Sequence, residues 1–341
     1  MSNFQQSHID TAWKNHRIKL SEKRGNHSAV KIDDHSFVVS GGFDGKKLSS
    51  VDLIDIVKNS SNQPIQLPEL AEGRCDHSSH FHNGYLMITG GGLNSTNRLK
   101  INTNLDKKSN WETKYIPDFQ DKMRQYCTSI IDDDKLYVIG GQLYNDSKAL
   151  SSIIAIDLPD DGGGKLNSSN GIVSFSSWKH IVDMKQARIE HASVKIGKKI
   201  FTMGGRIITD HSTKDIRVFD SMEIWDLSSN KISEGKKLPT TLYAAAAVAV
   251  GKFIVVTGGR SAPDVQNNNV FFYDTEKDIW NTDTSNPFKT PRYGHSAVVL
   301  HHNTIVVCGG FDASNKSVDS LECSNFSNLI RYNGTFLDST Q

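Results

Sequence analysis

Four arginines in this chain stand three residues ahead of a histidine: Arg24 and His27, Arg74 and His77, Arg188 and His191, Arg292 and His295. Arg124 keeps the spacing with Cys127 in the histidine's place, and Leu242 with Ala245 replaces both side chains. A guanidinium is a planar fork of donors that fits a carboxylate at two points at once. An imidazole is a general acid or base and a common metal ligand. Their recurrence at one spacing poses a choice. Either these groups face a ligand, or they bond loop carbonyls and carboxylates in a role that every copy needs. Arg206 and Arg260 pose it differently. Each directly follows a Gly-Gly pair, and no other copy has an arginine there, so a repeated structural role explains them less well.

The glycines identify the elements that must position these groups. Gly-Gly pairs begin at Gly41, Gly90, Gly140, Gly204, Gly258 and Gly309, with separations of 49, 50, 64, 54 and 51 residues. Each follows a short run of β-branched or aliphatic residues, such as Phe253-Ile254-Val255-Val256, apolar enough for a strand buried on both faces. A strand-bearing period near ~50 residues belongs to propeller blades rather than helical solenoids. The Arg-x-x-His residues open a first strand, which continues with small residues such as Ser28-Ala29, Ala192-Ser193 and Ala246-Ala247, suited to crowding around a central axis. Third strands are expected in SSIIAIDL, SMEIWDL and VFFYDTE, and fourth strands at Trp111, Trp178 and Trp280. Tyr273 and Trp280 are seven residues apart, as are Trp225 and Ile232, and a large ring there can fill the gap between blades.

The double glycines, the Tyr-x6-Trp spacing and the Arg-x-x-His motifs resemble kelch repeats, over roughly residues 10–325. The resemblance implies an all-β chain: a six-bladed kelch β-propeller with four antiparallel strands per blade. The last copy offers a third strand at 317–323 but no Trp-bearing fourth, while residues 11–20 hold Trp13 without a blade of their own. The N-terminal strand is therefore expected to complete the last blade, leaving residues 1–330 as one domain and 331–341 as a tail. In kelch domains that bind acidic peptide motifs, arginines after the double glycine line the pocket. By that resemblance Arg206 and Arg260 are candidate partner contacts. Arg74, Arg124, Arg188 and Arg292, with Tyr243, Tyr293 and His211, share the same loop face and complete the candidate set. The longer loop around Thr209–Lys214 adds to it. A second insertion, 159–172, reads as a flexible loop on the opposite face.

Lys plus Arg total 39 and Asp plus Glu 38, a net charge of +1, without the basic excess that nucleic acid would need. The most apolar run, 242–250, is too short to cross a membrane, and the polar N-terminus does not read as a signal peptide. Cys75, Cys127, Cys308 and Cys323 lack zinc-site or redox spacing, and reduced thiols in the cytoplasm are expected. Glu72, Asp76 and His80 match the spacing of an iron site found in some plant kelch proteins. In an extended strand, however, four residues span ~13 Å, so the three cannot share an ion. Neither a catalytic set nor a cofactor or metal site is expected. The reading that follows is a non-enzymatic protein-binding scaffold for an acidic or polar segment of another protein, with no nucleic-acid or membrane partner. The alternative is a sugar-directed enzyme, a mutarotase, isomerase or lyase, acting at the channel mouth. A deep axial funnel lined by Glu, Asp or His would favour it.

Overall fold

Each Gly-Gly pair ends a strand whose residues are buried on both faces, as in Ser36–Ser40 and Phe253–Thr257. The computed structural model describes residues 12–57, 62–101, 110–113, 116–119, 124–144, 146, 148–159, 177–210, 212, 215–283 and 287–326. The insertion at 160–172, His211 and the tail 331–341 lie outside them.

Six antiparallel sheets form the blades of a propeller. Blade one contains Ser28–Lys31, Ser36–Ser40, Val51–Asp55 and Ile65–Leu67 in sheet order. Blade two contains His77–His82, Tyr85–Gly90 and Asn97–Lys100, and Glu112 bridges Arg98 where a fourth strand would lie. Blades three, four and five begin with Thr128–Asp132, Ala192–Ile196 and Ala246–Val250, and each has four strands. Blade six takes Ser296–Leu300, Thr304–Cys308 and Ser320–Asn325 from the end of the chain and Lys14–Lys19 from its beginning. Its third strand lies about three residues later than the sequence reading placed it, because Ser317 bridges Phe311 in the preceding loop. Each innermost strand neighbours the next, and that of blade six neighbours that of blade one, so the ring closes.

Closure runs as the sequence implies. Lys14 pairs with Cys323 and Lys19 with Ser320. Trp13 is buried edge-on against Phe288, with ring centres 4.3 Å apart, and also meets Phe326. A strand from the front of the chain thus covers what would be an unpaired edge of the last sheet.

The hydrophobic core is divided among the seams. Six clusters are present among the described residues, each spanning two adjacent blades. Phe201, Met203 and Met222 of blade four, for example, pack on Ile254, Val256, Phe271 and Tyr273 of blade five. Side chains of a strand alternate between faces, so both faces of every blade must be apolar. The fourth-strand tryptophans reach across the seams. Trp111 Nε1 donates to the Pro68 carbonyl, Trp178 Nε1 to that of Pro117 and Trp280 Nε1 to that of Lys236, at 2.9, 2.9 and 3.0 Å. Tyr273 lies directly opposite Trp280, and Trp225 opposite Ile232, as their spacing predicts.

The glycines form a second set of links. The N–H of Gly42 donates to the Arg74 carbonyl of the next blade, and Gly92, Gly141, Gly205, Gly259 and Gly310 donate in turn to the carbonyls of Arg124, Arg188, Leu242, Arg292 and Arg24, at 2.7–3.2 Å. This needs a left-handed backbone and a close approach, which together favour glycine. At Gly204, φ is +63° and a Cβ would stand 2.3 Å from the Leu242 carbonyl oxygen. Gly204→Ala should therefore destabilise the fold by at least about 2 kcal/mol in urea denaturation. Gly197→Ala is the control: its φ is +58°, with open space where the alanine methyl would stand, and about 1 kcal/mol is expected. Equal losses at the two positions would contradict the close-approach account.

Candidate functional site

First and second strands run antiparallel, so the opening of one lies beside the end of the other. Backbone bridges join Gly25 to Phe43, Ile189 to Arg206, Tyr243 to Arg260 and Tyr293 to Phe311. The strand-opening residues and those after the glycines therefore share one face.

The two classes of arginine part company there. Arg74, Arg124, Arg188 and Arg292 were candidates for partner contact, but all four are buried inside their blades, as is Arg24. Arg188 Nη1 donates to the Gly204 carbonyl at 2.7 Å and to the Ser221 carbonyl at 3.2 Å, while Nη2 reaches Glu223 Oε1 at 2.7 Å. Arg292 repeats the pattern on Gly309, Ser320 and Glu322, and Arg24 on Gly41, Ser50 and Asp52. Each guanidinium thus ties the opening of the first strand to the end of the second and the start of the third. Asp52, Glu223 and Glu322 also accept backbone N–H bonds, from Ser21, from Lys185 and Gln186, and from Lys289 and Thr290. A buried guanidinium needs this saturation. Arg124 bonds the Gly140 and Ser152 carbonyls, and Arg74 those of Gly90 and Ser95. Burial lowers Arg74 to about 10. In blade five Leu242 replaces the arginine and Phe271 stands at the carboxylate's place in the third strand, an apolar substitute for the ion pair. The sequence reading allows for carboxylate partners without naming Asp52, Glu223 or Glu322, although an acidic residue within an apolar strand (VDL, MEI, LEC) marks each one.

Arg206 and Arg260 lie on the face itself. Arg206 is paired: Nε and Nη2 reach the two oxygens of Glu190 at 2.5 and 3.0 Å, and its Cζ lies 5.3 Å from the Tyr243 ring centre. Burial disfavours its charge, but the hydrogen bond and charge of Glu190 outweigh that and raise its pKa. Tyr243, a candidate for partner contact, is buried beneath it. Arg260 lies 3.7 Å above the Tyr293 ring, with Nη2 bonded to Asn315 Oδ1, and its Nε has no hydrogen-bond partner. Tyr293 donates to the same Asn315 oxygen at 3.1 Å and stacks on Phe311, with ring centres 5.2 Å apart. The post-glycine residue of one blade thus lies over the strand-opening ring of the next. Phe43 and Tyr144, the latter with Lys47 5.6 Å from its ring centre, add exposed aromatic surface. Part of the expected long loop is a hairpin, Arg206–Asp210 with Asp215–Val218.

A shallow recess of about 120 Å³ opens at the axis, lined in part by Asn26, Asp76, Tyr126 and Glu190. These residues, with Ala244 and Gly294, stand two places after each strand-opening position, and all six have φ between 52° and 60°. That conformation costs a non-glycine residue energy, and a collar of backbone bonds holds it. The N–H groups of Asn26, Asp76, Glu190, Ala244 and Gly294 each donate to a carbonyl of the collar residue in the preceding blade. Burial raises the Asp76 carboxyl to about 7, helped by Glu190 and opposed by the Cys75 thiol, which donates to Asp76 Oδ2 at 3.0 Å. Beneath lie four histidines bonded across the seams. Nε2 of His77, His191 and His295 meets the hydroxyls of Ser40, Thr128 and Thr257 at 3.0 Å, and that of His27 meets Cys308 Sγ at 3.6 Å. His80 meets Ser129 Oγ at 2.6 Å instead of joining Glu72 and Asp76. Among the described residues no three His, Cys, Asp or Glu side chains are grouped to hold a metal ion. Nor, among them, is any helix long and apolar enough to cross a membrane. All four cysteines are free.

Two outcomes are expected. Glu322→Ala leaves Arg292 charged and unpaired in the core and should cost about 3–5 kcal/mol in chemical denaturation, whereas Lys185→Ala, which removes only an exposed pair, should be silent. Acid should also weaken the fold well above the carboxylate range. Burial holds His27 and His191 at about 3 and His80 at about 4, and drives His77 and His295 well below their ordinary value. Unfolded histidine binds its proton near pH ~6.5. Below that pH the unfolded chain gains protons that the native state refuses, so stability falls with pH by up to about 1.4 kcal/mol per unit for each histidine. Asp76 works in the opposite sense: protonated in the native state below about 7, it adds stability as pH falls towards ~4 and offsets one of the five. Urea midpoints should thus decline between pH ~6.5 and ~4, more steeply in Asp76→Asn. A flat profile would refute neutral buried histidines.

A model of the KLHDC2/KLHL20/DRC7 kelch-repeats domain matches residues 100–310. Alpha-scruin of Limulus polyphemus is 23% identical over 243 residues, 69% of this chain and 24% of that protein. Kelch-like protein 41b of Danio rerio is 28% identical over 138 residues, 40% of this chain and 22% of that protein. Kelch-like protein 38 of Homo sapiens is 25% identical over 126 residues, 36% of this chain and 20% of that protein. The chain thus spans about a quarter of the length of the curated relatives it matches. Six Gly-Gly blades in a closed ring, together with these matches, place the chain in the kelch-repeat family.

Proposed function

We propose that this propeller is a protein-binding scaffold, and that its arginine-bearing face takes an acidic or polar segment of a partner protein. Membership of the kelch-repeat family supports the scaffold reading. The observation that carries the choice of face is Arg260. It lies half-buried over the Tyr293 ring at the rim of the face, with Nη2 on Asn315. A half-buried guanidinium stacked on an aromatic ring is held ready for a planar carboxylate. Arg206 is the second contact, reached by a partner that competes with Glu190 for its fork. Tyr293, Phe311 and Phe43 supply apolar area beside these charges, as interface cores commonly do. His211, which lies outside the described residues, remains part of the proposed contact region. Residues 1–330 as a single domain, a tail at 331–341 and a cytoplasmic location complete the reading.

The enzymatic alternative is less well supported. The recess is lined by two carboxylates, Asp76 and Glu190, and by His27, His77, His191 and His295, but its volume of about 120 Å³ is small beside the ~300–1,000 Å³ of ordinary ligand pockets. The histidines beneath are bonded between blades, and Glu190 is held by Arg206. A shallow centre of this kind counts against a sugar site.

The test is quantitative affinity purification from the native source with the wild-type chain and with Arg260→Ala. Specific partners should be recovered at least ~5-fold less with the variant, the weight of one charge-assisted contact. Unchanged recovery would refute this face as the binding site.

A further inference from the structure

Five side chains run across the arginine-bearing face as one ladder. The Arg206 guanidinium lies 5.3 Å from the Tyr243 ring centre, and a backbone bridge joins Tyr243 to Arg260. Arg260 lies 3.7 Å above the Tyr293 ring, and Tyr293 stacks on Phe311 at 5.2 Å and 30°. Arg260, Tyr293 and Phe311 are all half-buried, so each keeps an open side. Two groups fix this end of the ladder. Asn315 Oδ1 accepts from both Arg260 Nη2 and the Tyr293 hydroxyl, which holds the guanidinium on its ring. The Phe311 ring lies on the backbone of Gly25, where a Cβ would overlap it. Gly25 in turn bridges Phe43, whose exposed ring carries the apolar surface into blade one. The face thus offers charge at blades four and five and ring surface at blades six and one.

We infer that this face selects an acidic residue and an aromatic or large aliphatic residue two positions apart in an extended segment of the partner. The inference rests on the protein-binding reading above and adds the apolar half of the motif and its spacing. Side chains of an extended chain alternate, and same-side neighbours repeat every ~7 Å. Two steps, of 3.7 and 5.2 Å, lead from the Arg260 guanidinium over Tyr293 to Phe311, and a same-side pair falls within that reach. The carboxylate of the pair meets the planar donor fork of Arg260. The second side chain then comes down on Phe311 and Phe43. Those rings offer a polar group no hydrogen bond, and their negative faces repel a second carboxylate, whereas an apolar or aromatic side chain packs on them. A uniformly acidic segment therefore fits only half of the ladder. The residue between the two points away from the face and is free to vary.

Selection of a random-peptide phage library on the immobilised full chain tests the motif. Sequences enriched on the wild type should carry Asp or Glu two positions from Phe, Tyr, Trp or Leu. Arg260→Ala should lose the acidic preference, and Phe311→Ala should lose the apolar preference while keeping the acidic one. Far-UV spectra check that the variants fold; should Phe311→Ala fail, Gly25→Ala replaces it, since the added methyl crowds the ring off its seat. Fluorescence anisotropy on a synthetic copy of the most enriched peptide gives a second readout. Replacing its apolar residue by alanine should weaken binding to the wild type at least ~5-fold, and should cost little more once Phe311 is gone, as expected of two groups in contact. Acidic enrichment without the spaced apolar residue, or an apolar preference that survives the loss of Phe311, would overturn the motif and leave the acidic-segment reading standing. Absence of acidic enrichment would overturn both.

Discussion

One contact sets the geometry of this molecule: the N–H at each glycine corner reaches a carbonyl at the opening of the next blade. It demands a backbone that bends left-handed and comes too close for a side chain. Around the ring, these bonds fix how far each blade is rotated from its neighbour. The apolar faces can then interlock across every seam, and the strand-opening residues all come to one side. The collar of left-handed residues at the axis is a consequence. Backbone bonds between successive collar residues, such as Glu190 N–H to the Tyr126 carbonyl, hold those positions, and Tyr126 and Glu190 adopt a conformation usually left to glycine or asparagine.

Within that frame a single residue type serves two purposes. A strand-opening arginine points into the blade, where two carbonyls and in three blades a carboxylate await it. An arginine after the glycines points across the face and lies over the next blade's tyrosine. The side chains are chemically identical. Their surroundings differ because the first begins a central strand, whereas the second leaves the sheet at its rim. The same logic separates the histidines: those in the repeat are locked between blades, while His35, His301 and His302 stand at turns.

Much of the architecture was legible in the order of residues. The Gly-Gly period, the apolar runs before it and the Tyr-x6-Trp spacing are local patterns, and local patterns specify strands and turns. Even the closure by Trp13 could be read, since a fourth strand without a blade and a blade without a fourth strand require each other. The face was legible too, because an antiparallel hairpin puts its two ends side by side.

What could not be read was where each charge would point. Arg188 and Arg206 both flank a strand end in sequence, yet one is saturated by Glu223 and the other lies in the grip of Glu190. Those acidic partners are 35 and 16 residues away, and only packing brings them in. The buried state of Tyr243, the shallow axial recess and the meeting of His35 with His301 also depend on contacts between blades. Short-range pattern therefore established strands, period and ring closure. Long-range packing established which polar groups are satisfied inside and which remain free to meet something else.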